Sequence, residues 1–280
     1  MSDPYANHAD ASTGQQSPGK SPFAPGSPFA EYYRPPHLGI IHLLAWTAAT
    51  AVLLKFSMAM EMIQDTGGSS MPPSMRVFQQ IFGFIYSTAF AAGIVGTCIV
   101  LRAKMSRLPG RLQPGHWLLL IATVSSLLSL ARWAFYVLAE TTGLVGSFSP
   151  SWILVLFGLE EIICSGMYFG ATLACRAAKR WKVCFAVLAA VNFMRGVLSV
   201  GSVLLDSPSW AISFSSLPLG SMIVGLVLLL AVLVDLRRGP RRDWLHWLGV
   251  AIIATGVLVY AAWWAWSMFA MPLMESALAA

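Results

Sequence analysis

Charge is what this chain of 280 residues has least of. Asp, Glu, Lys and Arg make up 11% of it, against 57% hydrophobic residues. A water-soluble domain carries about 25% charged residues, so this chain lacks the polar surface to face water on all sides. Cysteine is sparse as well: Cys98, Cys164, Cys175 and Cys184 are the four present, and none forms a CxxC pair. That pattern excludes the common zinc and dithiol redox motifs and leaves free thiols in apolar surroundings. The first residues show no basic stretch followed by an apolar one, so no cleavable signal peptide is read there. The net charge is +6. The basic residues mark the ends of apolar runs rather than one face, so nucleic acid is not an expected partner.

What the chain has in quantity is long apolar runs. About 20 such residues cross a bilayer as a helix. Seven runs qualify, at roughly 38–60, 77–101, 116–139, 152–178, 181–205, 211–236 and 243–270. The fold expected is therefore an all-α polytopic membrane protein of seven transmembrane helices spanning residues 38–280, preceded by a tail at 1–37. The tail is rich in Pro, Ser, Gly and Ala and contains Ser-Pro-Phe-Ala twice, at 21–24 and 27–30. It cannot bury enough apolar surface to offset its chain entropy and is expected to be disordered. Its phenylalanines, with Tyr32 and Tyr33, make a docking segment for a cytoplasmic partner the alternative.

The loops suggest an orientation. Arg102, Lys104, Arg107 and Arg111 follow the second helix, Arg176, Lys179, Arg180 and Lys182 the fourth, and Arg237, Arg238, Arg241 and Arg242 the sixth. The other loops carry Glu61, Asp65, Glu140 and Asp206, with Arg76 the basic exception. Lys and Arg favour the cytoplasmic side, which predicts an inside N-terminus and an outside C-terminus in the cell membrane. Tryptophans at 117, 181, 244 and 247 would anchor the inner edge, with Trp152 and Trp210 at the outer. His116-Trp117-Leu118 and His246-Trp247-Leu248 also repeat a short pattern at two helix starts.

One stretch interrupts the oil. Glu160 and Glu161 are adjacent inside the fourth run. A carboxylate or basic group at the centre of a membrane helix costs about 2.5–3.5 kcal/mol. Two glutamates therefore need partners or protons. Counting about 1.5 Å per residue from the helix ends puts Glu160 about 18 Å from the inner edge, Arg195 about 21 Å, Arg132 about 22 Å and Lys55 about 25 Å. These charges share one slab, and Asn192 lies one turn before Arg195. Glu160, Glu161, Arg132, Arg195, Lys55 and Asn192 thus form the candidate binding or ion-pair cluster, on helices one, three, four and five. Gly166 and Gly170 below the glutamates, and Ala89, Ala92, Gly93 and Gly96 on helix two, read as faces for close helix approach. Pro218 and Gly220 read as a break in helix six.

Intramembrane charges mark ion, proton or solute sites by default. The expectation is an outward-facing polar site for transport or binding of a small solute, ion or proton, held in a lipid bilayer. The alternative is a non-catalytic structural or partner-binding membrane protein whose charges only fix packing. An intramembrane enzyme ranks third. The Glu160-Glu161 pair resembles the opening of the EExxxR motif of the CPBP-type intramembrane proteases. Residue 165, where that motif needs Arg, is Ser165, and the family's later membrane histidines have no counterpart at matching depth, so no catalytic residue is assigned. His42, His116 and His246 share the inner edge, but no HxxxH spacing or carboxylate is read beside them. No metal or cofactor is therefore expected.

Overall fold

The computed structural model describes residues 38–65, 73–105, 112–142, 151–175, 179–205, 219–238 and 242–266. The tail at 1–37, Pro218, Trp210 and the serines at 213, 215 and 216 lie outside them. Seven helices result: α1 Ile40–Asp65, α2 Pro73–Met105, α3 Pro114–Thr141, α4 Ser151–Ala174, α5 Lys179–Leu204, α6 Leu219–Arg238 and α7 Trp244–Ala265. All seven are long and apolar enough to cross a membrane, and no strand occurs among the described residues.

The helix boundaries follow local chemistry. Pro73 and Pro114 open α2 and α3, where a fixed φ and a missing N–H cost nothing. Opening at Pro73 makes α2 four residues longer at its start than the run at 77–101 implied, and α1 runs on to Asp65. Asp243 caps α7 by accepting the His246 amide. In contrast to the 152–178 run, α4 stops at Ala174, and the Cys175 amide closes its last turn on the Ala171 carbonyl.

Lipid offers no hydrophobic drive for helices to meet, so close packing and hydrogen bonds must hold the bundle. Helices α2 to α7 form a ring in chain order, closed by α7 against α2 and α3, while α1 packs on α2 outside the ring. The most extensive pairing is α4 with α5. It is built on Gly158 and Gly196: a Cβ on Gly158 would lie 2.8 Å from the Gly196 carbonyl oxygen, and one on Gly196 would lie 2.7 Å from that of Gly158. The Ser165 hydroxyl adds a bond to the Ala189 carbonyl at 2.8 Å. Gly166 and Gly170 meet nothing within 4 Å, which corrects their reading as the close-approach face. The helices cross about two to three turns earlier, at Gly158. On α2, Gly93 and Gly96 do pack closely, against Thr123 and Leu119 of α3 and Ile252 and Leu248 of α7.

The side chains divide the bundle into two halves. The basic end is the one where α2, α4 and α6 finish and α3, α5 and α7 start. Trp181, Phe185, Leu118, Leu119, Ile121 and Leu245 are fully buried in that half. The glutamates lie toward the opposite end.

Candidate functional site

The α3 residues Ser125, Ser129 and Arg132 are spaced i, i+4, i+7, so one helical face presents all three to α4. Glu160 Oε1 accepts from the Ser129 hydroxyl and from the Ser125 hydroxyl at 3.4 Å. Glu160 Oε2 lies 3.3 Å from Arg132 Nε, with 11% of the glutamate side chain and 15% of the arginine side chain exposed. The two charges face each other without an aligned hydrogen bond, and both atoms are buried with no other partner. The guanidinium lies over the Phe157 ring at 4.9 Å and near Trp133 at 5.8 Å, which cushions a charge that carboxylate contact satisfies incompletely.

Arg195 turns the other way. Its Nη2 donates to Ser221 Oγ at 2.9 Å, and its guanidinium lies 5.2 Å from the centre of the Tyr260 ring. It thereby joins α5 to α6 and α7. Glu161, about 100° around the helix from Glu160, lies in the electrostatic field of Arg195, Glu160 and Arg132. Among the described residues no hydrogen bond or ion pair reaches its carboxylate. Asn192 donates to the Leu188 carbonyl of its own helix at 2.7 Å, so its amide is used locally. Lys55 is exposed on peripheral α1 and makes no ion pair with a described residue. The charged cluster is therefore Glu160 with Arg132, with Glu161 and Arg195 nearby but unjoined. In place of α1, α2 brings Tyr86 within the field of Glu160, Glu161 and Arg132.

A groove reaches this cluster. It encloses about 380 Å³ between α1, α2 and α3 and is lined by Leu53, Phe56 and Ser57, by α2 from Gln79 to Phe90, and by Ser126, Ser129, Leu130 and Trp133. Ser129 belongs to both: its hydroxyl donates to Glu160 and its side chain forms part of the groove wall. The volume falls in the range of small-ligand pockets.

The basic end holds a second polar cluster that hydropathy reasoning passed over. Asp235 of α6 is fully buried and accepts from Arg180, from Trp181 Nε1 at 3.0 Å and from Arg242 Nε at 3.0 Å. His246 Nδ1 accepts the Gly115 amide at 2.9 Å, which leaves the ring proton on Nε2, 3.9 Å from Asp235 Oδ2. Gly115 and Gly249 press backbone on backbone beside it, so neither position has room for a side chain. His116 is satisfied on both nitrogens: Nδ1 accepts the Gln113 amide at 3.2 Å, and Nε2 donates to Asp243 at 3.0 Å. Burial raises the Asp243 carboxyl, but the hydrogen bonds from His116 and the His246 amide outweigh it and hold the group below the usual carboxylate range.

Two expectations are corrected here. Carboxylates do accompany His116 and His246, because α6 ends beside them and the α7 cap folds back onto α3. Trp181 is a fully buried hydrogen-bond donor rather than an edge anchor, stacked edge-on with His246 at 5.3 Å. The available signal was an acid, Asp235, set directly between an apolar run and the arginines at 237 and 238. Among the described residues no group of three or more His, Cys, Asp or Glu is arranged to hold a metal ion. Cys164, Cys175 and Cys184 are buried free thiols, and Cys98 is exposed. Compared with protein-family models, curated proteins and solved structures, the chain matches none.

Proposed function

We propose that the protein binds and moves a small solute, ion or proton through the half of the bundle away from the basic loops. If the basic loops set orientation as they usually do, this site faces outward from the cell membrane. Ser129 carries the reading, because its hydroxyl is shared between the groove and the Glu160 carboxylate. Glu160 is the held member, neutralised by Arg132. Glu161, with no partner among the described residues, is the member free to meet a solute or exchange a proton.

The test is reconstitution of the full chain in liposomes carrying a pH-sensitive dye. Under an imposed pH gradient the parent should dissipate it faster than protein-free liposomes. Glu161→Gln should abolish the excess and keep the parent's melting temperature. A parent indistinguishable from empty liposomes, with equal large melting losses in Glu160→Gln and Glu161→Gln, would leave a scaffold instead. One observation favours that second reading: the Arg132–Glu160 pair ties α3 to α4 whatever else it does.

A further inference from the structure

The groove's chemistry narrows what it takes. We infer that its ligand is an uncharged amphiphile, an apolar chain with a hydroxyl or carbonyl head, entering sideways from the bilayer; this rests on the solute-site reading above. Three observations carry the inference.

The first is the lining. Every residue of the wall is neutral, and phenylalanines at 56, 82 and 90 alternate with hydroxyl or amide groups at 57, 79 and 86. A charged head placed there would lose its hydration and gain no counter-ion. A hydroxyl or carbonyl would find both donors and acceptors.

The second is shape and place. The wall follows α2 from Gln79 to Phe90. Eleven steps of about 1.5 Å make it about 16 Å long, parallel to the helix and inside its membrane-spanning stretch. Such a slot suits a chain more than a compact solute.

The third is access. α1 packs on α2 from outside the ring, so α1 and α3 flank α2 as the two banks of the slot. Tyr86 on its floor is 58% exposed and Trp133 on the α3 bank 38%. Both sit at membrane depth, where the medium that reaches them is lipid. The ring closes the far side, and the Ser129 hydroxyl is the polar contact that leads on to Glu160.

The experiment uses the full chain in phosphatidylcholine nanodiscs and three photoreactive probes with one C16 diazirine chain: an alcohol, a sulfate and a trimethylammonium. The alcohol should label residues within 79–90 and 126–133, saturably. A tenfold excess of plain hexadecanol should lower labelling at least fivefold, and the charged probes should label those segments at least fivefold less. Ser126→Trp, which fills the slot, should reduce labelling at least fivefold with an unchanged melting temperature. Should that variant not fold, Leu53→Trp fills the slot from the α1 side. Non-saturable labelling, labelling spread evenly over lipid-facing helix surfaces, or equal labelling by the charged probes overturns the inference. Glu161→Gln separates the two claims, because it should abolish flux and leave alcohol labelling intact. Flux without selective labelling would sink the amphiphile and keep the transport reading; labelling without flux would do the reverse.

Discussion

Asp235 and Glu160 are both buried carboxylates facing arginine, yet their surroundings differ in kind. Asp235 receives three aligned donors from two separate places in the chain: Arg180 and Trp181 at the start of α5, and Arg242 just before α7. Glu160 receives serine hydroxyls and faces Arg132 without an aligned hydrogen bond. One carboxylate sits in a dense core and the other shares a serine with a groove. A closed polar network specifies a single arrangement, whereas a partly satisfied one leaves contacts to be gained. The basic end is built to stay, and the opposite half has room to respond.

The largest expected effect tests the closed end. Asp235→Asn leaves two arginines without their buried counter-charge, and removing one partner of such a pair costs about 3–5 kcal/mol. Thermal unfolding in detergent should show a large drop in melting temperature. A drop no greater than that of Glu160→Gln would erase the contrast between the halves.

Next comes the α4–α5 crossing that sets the glutamates' position. Gly196→Val puts side-chain atoms where the Gly158 carbonyl oxygen lies, and overpacking of this kind costs about 1–3 kcal/mol. The same change at Gly166 should be neutral by the same melting assay, since nothing lies within 4 Å of it. Equal losses at both sites would move the crossing.

The adjacent glutamates sharpen the comparison within one half. Glu160→Gln should cost about 1–3 kcal/mol, because Arg132 loses its counter-charge but keeps the Phe157 and Trp133 rings. Glu161→Gln should change stability by no more than about 0.5 kcal/mol. Paired melting curves check both, and a reversed order would reverse the roles proposed.

A smaller effect than at Glu160 is expected at Asp243. Its folded pKa lies below its unfolded value, so its contribution is present above the unfolded pKa of about 4 and is lost as pH falls through the folded one. Asp243→Asn should cost about 1 kcal/mol at neutral pH, the order of an N-cap and one charge-assisted bond. The gap between parent and variant melting temperatures should shrink only below about pH 4. A gap that closes well above pH 4 would show that the Asp243 carboxylate does not control it.

The seven spans were legible because run length and apolar content alone determine what can cross a bilayer. Helix order around the ring was not, and that decided Lys55: a lysine on an outside helix has no bundle interior to face. Depth could be counted from the helix ends, which put Glu160 and Arg132 at one level. Rotation could not, and rotation is what gave Ser125 and Ser129 to Glu160 and left Glu161 aside. Gly166 and Gly170 carry the familiar spacing of close-packed helices, but the approach uses Gly158 and Gly196, which stand on different helices and form no motif in either. Asp235 stayed hidden for the same reason, since its donors come from α5 and from just before α7.

The bond from the Gly115 amide to His246 joins positions 131 residues apart. At about 5–20 residues per second, a growing chain waits about 7–26 s between making one partner and making the other. Arg180 and Trp181 are already present when Asp235 is made, but Arg242, His246 and the Gly249 backbone arrive with the final helix. The tightest part of the molecule is therefore the last to be completed in time, and the nascent protein reaches six helices with its basic end still unsealed.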